Sequence, residues 1–243
     1  MQQVNNKCWL SKMKSTADYQ GGHMEKLMDA IVNWIASKND RLIIGISGHG
    51  ASGKSYFTQE LLGRLGNKNV NCLNTDPYIV SSDIRKLAAI DYTYENEDHR
   101  FKMTACHPAA HHLGALERDV RMAREGLDFY TIDVHYMERT LISSENQLTI
   151  VEGMSAAFID PELFDLKIYF YTDGETELMR RSSRDVAERG TDLDYLRFSH
   201  NERRVQYEVF MHPYSENFNI VIKSVGDKQF VEKMEFEFGG EKE

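Results

Sequence analysis

The chain has 243 residues, of which 41% are hydrophobic and 28% charged, so it is long enough to bury a full core and ordinary for a globular protein. Its net charge of −9 argues against a nucleic-acid polymer as partner, yet leaves a nucleotide ligand open, because a phosphate site needs only local N–H groups and a few cations. Three widely spaced cysteines (Cys8, Cys72, Cys106) suggest no disulfide framework, and no apolar run or leader pattern marks a membrane or secretory segment, so the cytoplasm is expected.

Residues 1–22 are polar and aperiodic and read as a loose extension; 23–243 read as one domain. Leu27, Ile31, Trp34 and Ile35 at helical spacing predict a helix over 24–38. The run Leu42-Ile43-Ile44-Gly45-Ile46 is of buried-strand type and enters a glycine-rich turn. A helix over about 54–65 and a strand over about 69–74 follow. Pro108 is expected to open a helix that carries Leu113, Leu116 and Val120 on one face and stops near Gly126. Strands are expected at 148–151 and 166–171, and Thr172 with Glu175 has capping-box spacing at the start of a charged helix ending by Gly190. A helix over 193–211, halted before Pro213, and a strand at 219–222 complete the pattern. Strands alternate with helices, which predicts an α/β fold with a parallel sheet covered on both faces.

The segment Gly48-His49-Gly50-Ala51-Ser52-Gly53-Lys54-Ser55 fits G-x-x-x-x-G-K-S/T, a P-loop, between a strand and a helix. Glycines let consecutive N–H groups wrap phosphate oxygens, while the lysine reaches the outer phosphates and the hydroxyl serves Mg²⁺. Gly48, Gly50, Ala51, Ser52, Gly53, Lys54, Ser55 and Tyr56 are therefore the candidate nucleotide contacts.

Other candidates each have two readings. Asp76 in Asn74-Thr75-Asp76-Pro77-Tyr78 follows a strand and is either a base or Mg²⁺ neighbour, or a turn former. Glu152, before Gly153, is either a metal ligand or a solvated strand end. Arg180, Arg181, Arg184 and Arg189 either close over phosphates or belong to an exposed helix braced by Glu177/Arg181 and Arg184/Glu188 pairs. Cys106, His107, His111 and His112 hold an acceptor or, less in keeping with ligand spacing, a transition metal.

Together these segments resemble the uridine kinase/phosphoribulokinase family from about Arg41 to Ile222. The most distinctive match is Arg180-Arg181-Ser182-Ser183-Arg184-Asp185-Val186-Ala187-Glu188-Arg189-Gly190, similar to the family's arginine-rich lid, here about 180–192. The resemblance implies a Mg²⁺- and ATP-dependent phosphotransferase acting on a hydroxyl of a small molecule. It implies that Asp76 is the base, that Ser55, Glu152 and Asp76 surround Mg²⁺, and that Arg184 and Arg189, with Lys54, meet the phosphates. Arg181, His107 and Tyr78 are then expected on the acceptor side. It leaves a homo-oligomer open.

The same comparison exposes departures. Where uridine kinases carry an aspartate before His-Pro this chain has Cys106, and Ala105, Ile79, Ile132 and Met137 replace their aromatic and histidine positions around the nucleoside. Uridine or cytidine is one acceptor; a sugar phosphate, pantothenate or hydroxy acid is the alternative. A nucleotide-binding regulatory ATPase is the reading from another class.

Overall fold

The computed structural model describes residues 22–66, 69–189 and 193–238, with the side chains of 184–189, 193–196 and 198 left out. Residues 1–21, most of the expected extension, lie outside it. Helix α1 (Gly22–Ala36) leads into β1 (Leu42–Gly48), the glycine-rich turn and α2 (Lys54–Arg64). Then come β2 (Val70–Asn74), the short α3 (Ser82–Arg85), the strands β3 (Ala89–Tyr94) and β4 (Glu97–Lys102), and α4 (Leu113–Glu125). The pairs β5 (Phe129–Tyr130) and β6 (Leu141–Ile142) precede β7 (Leu148–Glu152) and β8 (Leu166–Thr172). Helices α5 (Gly174–Arg189) and α6 (Leu193–Phe210) and strands β9 (Ile220–Val225) and β10 (Lys228–Met234) complete the described order.

The main sheet runs β10-β9-β8-β1-β7-β2, parallel throughout except for the antiparallel edge strand β10. Successive strand residues point to opposite faces, and here both faces are buried. Ile44, Ile46, Ile150, Ile168, Ile220 and Ile222 pack with α1 and α2 through Leu27, Ile31, Trp34, Phe57 and Leu61. Their neighbours Ile43 and Val151 face α4 through Leu116 and Val120. Tyr169 and Val221 face Tyr207 and Met211 at the end of α6. At about 1.5–3 kcal/mol for each fully buried aliphatic side chain, this double burial is what holds the parallel strands together.

Register delivers three strand ends to one place. Glu152 lies opposite Ile46 of β1 and opposite Asn74 of β2. The Thr75 N–H then donates to the Glu152 carbonyl at 2.8 Å, so the chain leaves β2 beside β7.

Two expectations are corrected, and two elements are added. Pro108 opens a separate 3-10 turn over Pro108–Ala110, and α4 starts only at Leu113, because His111 adopts an extended conformation between them. The cap of α5 is Asp173 rather than Thr172: the Asp173 carboxylate accepts from the Thr176 N–H at 2.8 Å and from its hydroxyl at 2.9 Å. Thr172 instead donates its hydroxyl to the Ser224 carbonyl at 2.5 Å, which ties β8 to β9. The β3–β4 hairpin and β10 were not legible. Glu95 and Asn96 turn the hairpin at φ of 51° and 67° without a glycine, and a register shift between Val231 and Lys233 breaks the alternation of β10. Among the described residues no helix is long and apolar enough to cross a membrane, and Cys72 and Cys106 are free thiols.

Gly153 is the tightest junction near the convergent strand ends. It has a φ of 140°, and a Cβ there would stand 2.1 Å from Thr75 Oγ1. Gly153→Ala is expected to lower the unfolding free energy by more than about 2 kcal/mol, through backbone strain and displacement of Thr75. Gly63 in α2 has nothing within 4 Å of a would-be Cβ, so Gly63→Ala should raise stability by about 0.4–1 kcal/mol. Urea unfolding of both variants checks the pair, and equal effects would contradict this account.

Candidate active site

The P-loop turn is built around groups that cannot be enlarged. Gly48 has a φ of 145°, and a Cβ there would stand 2.0 Å from the Phe170 carbonyl oxygen. Ala51 has a φ of 66° and Gly53 of 102°, which bends the chain so that α2 begins at Lys54. The Ser52 hydroxyl is fully buried and has no hydrogen-bond partner among the described residues. His49, written in the motif as an arbitrary position, anchors the turn. Its Nδ1–H donates to the Gly50 carbonyl at 2.9 Å, and its Nε2 accepts from the Thr172 N–H at 3.0 Å. Burial brings its pKa from 6.5 down to about 4, against the raising field of Glu177, so the ring is neutral at physiological pH.

Behind the turn, Ser55 Oγ donates to Glu152 Oε1 at 3.1 Å, and Lys54 Nζ lies 3.9 Å from the same oxygen. Glu152 is 7% exposed. This strand-end glutamate is therefore not solvated. Burial raises its carboxyl above the usual range, Lys54 and the Ser55 hydrogen bond oppose that rise, and Asp76 adds to it. Asp76 itself is exposed just past β2, with its N–H donating to Asn74 Oδ1 at 2.8 Å and its carbonyl accepting from the Tyr136 hydroxyl at 3.1 Å. The loop hydroxyl, the loop lysine and two carboxylates thus share one end of the sheet. That is a fitting donor set for Mg²⁺, which prefers oxygen ligands shared between carboxylates and phosphates.

Helix α5 brings Arg180 over the same end. Arg180 donates to the Ala51 carbonyl at 3.0 Å and to the Gly226 carbonyl at 2.6 Å, bridging the P-loop to the β9–β10 turn. Arg180 also lines an open cleft of about 680 Å³ with Lys54, Ser55 and Tyr56, the last well exposed. The Glu177/Arg181 pair exists at 3.7 Å, but Glu177 is buried, which corrects the expectation of an exposed brace. Its carboxylate also meets Arg204 at 3.2 Å, Arg203 at 3.6 Å and His49 at 3.6 Å. The side chains of Arg184 and Arg189, and with them the Arg184/Glu188 pair, lie outside the described residues.

On the acceptor side the candidates separate. Tyr78 is completely buried and its hydroxyl donates to Asp119 of α4, so it presents no surface to a ligand and leaves the acceptor set. His111 is likewise a packing residue: Nε2–H donates to the Ala105 carbonyl at 2.9 Å, and Nδ1 accepts from the Ser155 hydroxyl at 2.8 Å. Burial lowers its pKa to about 4, so it is no cation. His107 is half-buried, with Nδ1 accepting from the Ala109 N–H at 3.1 Å and its ring against Phe210. No cluster of three or more metal-ligating side chains occurs among the described residues, which removes the transition-metal reading there.

Sequence reasoning missed Arg85 and Arg203. They line a second cavity with Arg181, and Arg203 Nη2 reaches within 3.2 Å of where a Gly50 Cβ would stand. Neither lies in a motif, and no local spacing links α3 to α6.

The two buried, neutral rings make stability pH-dependent. His49 and His111 titrate near 4 when folded and near 6.5 when unfolded. Between those values the unfolded chain binds more protons, so stability falls as pH drops, by about 1.4 kcal/mol per unit for each ring, and this loss is complete below the folded pKa. Urea unfolding at about pH 7 and about pH 5.5 should show the loss, and His111→Gln should make its slope shallower. An unchanged slope in that variant would exclude His111 as a contributor.

Comparison with known proteins agrees with this geometry. The profile of the phosphoribulokinase/uridine kinase family matches residues 43–231. A uridine-cytidine kinase B of Dictyostelium discoideum is 28% identical over 194 residues, covering 76% of this chain and 72% of that protein. A uridine kinase of Staphylococcus carnosus is 28% identical over 204 residues, covering 79% and 91%. Among solved structures, phosphoribulokinase from Rhodobacter spheroides aligns with a TM-score of 0.55 at 20% identity, over 76% of this chain and 71% of that one. D-glycerate 3-kinase from Cryptococcus neoformans var. grubii aligns with a TM-score of 0.56 at 10% identity, over 86% and 98%. These two structural likenesses speak for the fold alone. With the strand-end carboxylates, the glycine turn and the match over residues 43–231 in agreement, this chain belongs to the phosphoribulokinase/uridine kinase family of kinases.

Proposed function

We propose that the chain transfers the γ-phosphoryl group of ATP, with Mg²⁺, to a hydroxyl of a small molecule. The observation that carries this reading is the meeting of Ser55, Lys54 and Glu152 within 3.1–3.9 Å, at the sheet end from which Asp76 also emerges. A polyphosphate suits the turn: Gly48 has no room for a side chain against the Phe170 carbonyl, Gly53 holds a φ of 102°, and the Ser52 hydroxyl buried within the turn lacks a partner among the described residues. Ser55, Glu152 and Asp76 are the oxygen donors for Mg²⁺, which when bound neutralises phosphate charge and aligns the transferred group.

The chain's own residues supply the rest. Lys54 neutralises the outer phosphates. Asp76, exposed and ahead of Glu152, orients the acceptor hydroxyl and takes its proton. By resemblance Arg184 and Arg189 stabilise the charge spread over the transferring phosphoryl group, while Arg181 faces the acceptor. The segment 180–192 acts as a lid that excludes water, and 23–243 works as one kinase domain.

The acceptor is less constrained. The curated relatives named above are uridine kinases, which favours a nucleoside. Against that, Cys106 is buried, and burial raises its thiol pKa, so it cannot hold ribose hydroxyls as an aspartate does. A kinase of another small hydroxylated molecule is the second reading, and that substitution favours it.

Asp76→Asn is expected to lower acceptor-dependent ADP release about 10²–10⁴-fold while ATP affinity stays close to that of the unaltered chain. Full turnover in the variant would remove Asp76 from the base role. ADP release that no nucleoside, sugar phosphate, vitamin or hydroxy acid stimulates would point instead to a regulatory ATPase.

A further inference from the structure

A small cavity of about 150 Å³ lies between α3, the end of β4, and helices α5 and α6. Five of its lining side chains are cationic: Arg85, Lys86, Lys102, Arg181 and Arg203. No carboxylate lines it among the described residues. In a chain of net charge −9, this is a concentration of the opposite sign. Two acids that pair with these cations stand outside the wall. Glu177 lies behind Arg181 and Arg203 and is shared with Arg204 and His49, while Asp83 meets Lys86 at 2.8 Å on the surface.

Arginine placement is specific. The Arg85 Nε donates to the Val80 carbonyl at 2.8 Å, which fixes its guanidinium at the cavity wall. Burial, and then the Arg203 guanidinium, lowers the Arg85 pKa, so two like charges are held near each other in partly desolvated surroundings. Arg203 Nε is buried and has no hydrogen-bond partner among the described residues, with Glu177 3.6 Å away. Such an arrangement costs free energy until an anion lies between the forks. Guanidinium forks bind carboxylate and phosphate oxygens in pairs.

Two of the cavity's arginines connect it to the site described above. Tyr136 donates its hydroxyl to the Asp76 carbonyl and lies in the fields of both Asp76 and Arg85. Arg203 reaches the phosphate loop at Gly50. The volume matches that of a cavity which admits a single benzene-sized molecule, so it takes one charged group and its first carbons rather than a whole nucleoside.

We infer that this cavity seats an anionic group of the acceptor, a phosphate ester or a carboxylate, so that the phosphorylated hydroxyl belongs to a small anionic polyol. The inference rests on the kinase reading given above for its chemistry, but the anion site can be tested without it. In the step itself the acceptor oxygen bonds to the γ-phosphorus, the bond to the ADP oxygen breaks, and the hydroxyl proton passes to Asp76.

The experiment pairs neutral and charged acceptors on the full chain: glycerol against glycerol phosphate and glycerate, ribose against a ribose phosphate, and uridine. ADP release should favour a charged member over its neutral partner by about a hundredfold or more in kcat/KM. The preferred charged member tells phosphate from carboxylate. Arg85→Gln and Lys102→Gln should each raise KM for that acceptor about tenfold, with kcat and the KM for ATP nearly unchanged, and Arg85→Lys should restore part of the loss. In parallel, calorimetry measures inorganic phosphate binding to the chain loaded with Mg²⁺ and a non-hydrolysable ATP analogue, so that the P-loop is occupied. Phosphate binding that Arg85→Gln weakens, without any acceptor-driven ADP release, would keep the anion site and remove the kinase reading. Efficient use of uridine or a neutral polyol, with the Arg85 and Lys102 variants unaffected, would overturn the anion site and leave the kinase reading standing. Absence of both phosphate binding and a charged acceptor would also overturn it.

Discussion

One buried carboxylate holds the working parts in register. Glu177, 1% exposed, stands within 3.2–3.7 Å of Arg204, Arg203, His49 and Arg181. Burial pushes its pKa up, but His49, Arg203, Arg204 and Arg181 more than offset this and hold it below the ordinary range. A carboxylate in that position costs several kcal/mol to desolvate, and only a full set of charged partners offsets that cost. The charged partners, Arg181, Arg203 and Arg204, come from α5 and α6, and the neutral His49 ring meets the carboxylate from the phosphate turn. Their side chains can satisfy Glu177 only when those segments are docked together. The ion cluster is therefore less a source of net stability than a device that specifies one arrangement of turn and helices.

The sheet performs a similar service for the carboxylates of the site. Parallel strands send all their C-terminal ends to one edge, and the register of β1, β7 and β2 sets Ser55, Glu152 and Asp76 around one volume. The Glu152 carboxyl, raised by burial, stays close to Lys54, whose ammonium compensates part of that penalty. Asp76, by contrast, remains exposed. Two acids a few residues from the same strand ends thus have different surroundings: one is buried against the loop lysine, the other open to an incoming molecule. That asymmetry suits one acid for metal organisation and the other for proton acceptance.

What could be read in advance followed the range of the interactions. The glycine turn and the strand-end positions of Asp76 and Glu152 were legible because each is defined by its immediate neighbours: a glycine turn after a strand, or an acid where an apolar run stops. Strands of the sheet were legible because apolar runs survive burial on both faces. Residues whose meaning depends on distant partners were not. His111 takes its role from Ala105 and Ser155, and the latter is 44 positions away in the chain. Tyr78 looked available two residues after Asp76, yet the 3-10 turn over Asp76–Tyr78 rotates it inward onto Asp119. Arg85 and Arg203 meet only because α3 and α6 fold against the same cavity. A bulge hid β10 for a simpler reason, since it broke the period that a strand is recognised by.

Net charge gives the last constraint on what this site can capture. At −9 the molecule as a whole repels anions, and both the nucleotide and the acceptor proposed above are anions. Screening in physiological salt limits that repulsion to roughly 8 Å, beyond which an approaching ligand meets little of it. Inside that distance local geometry decides, and two places reverse the sign: the P-loop with Lys54, and the cavity walled by Arg85, Lys102, Arg181 and Arg203. At each of them an anion is held only where both its charge and its shape are matched. Capture then depends on short-range forks and oriented N–H groups rather than on long-range steering, which favours selectivity between small anions over speed of encounter.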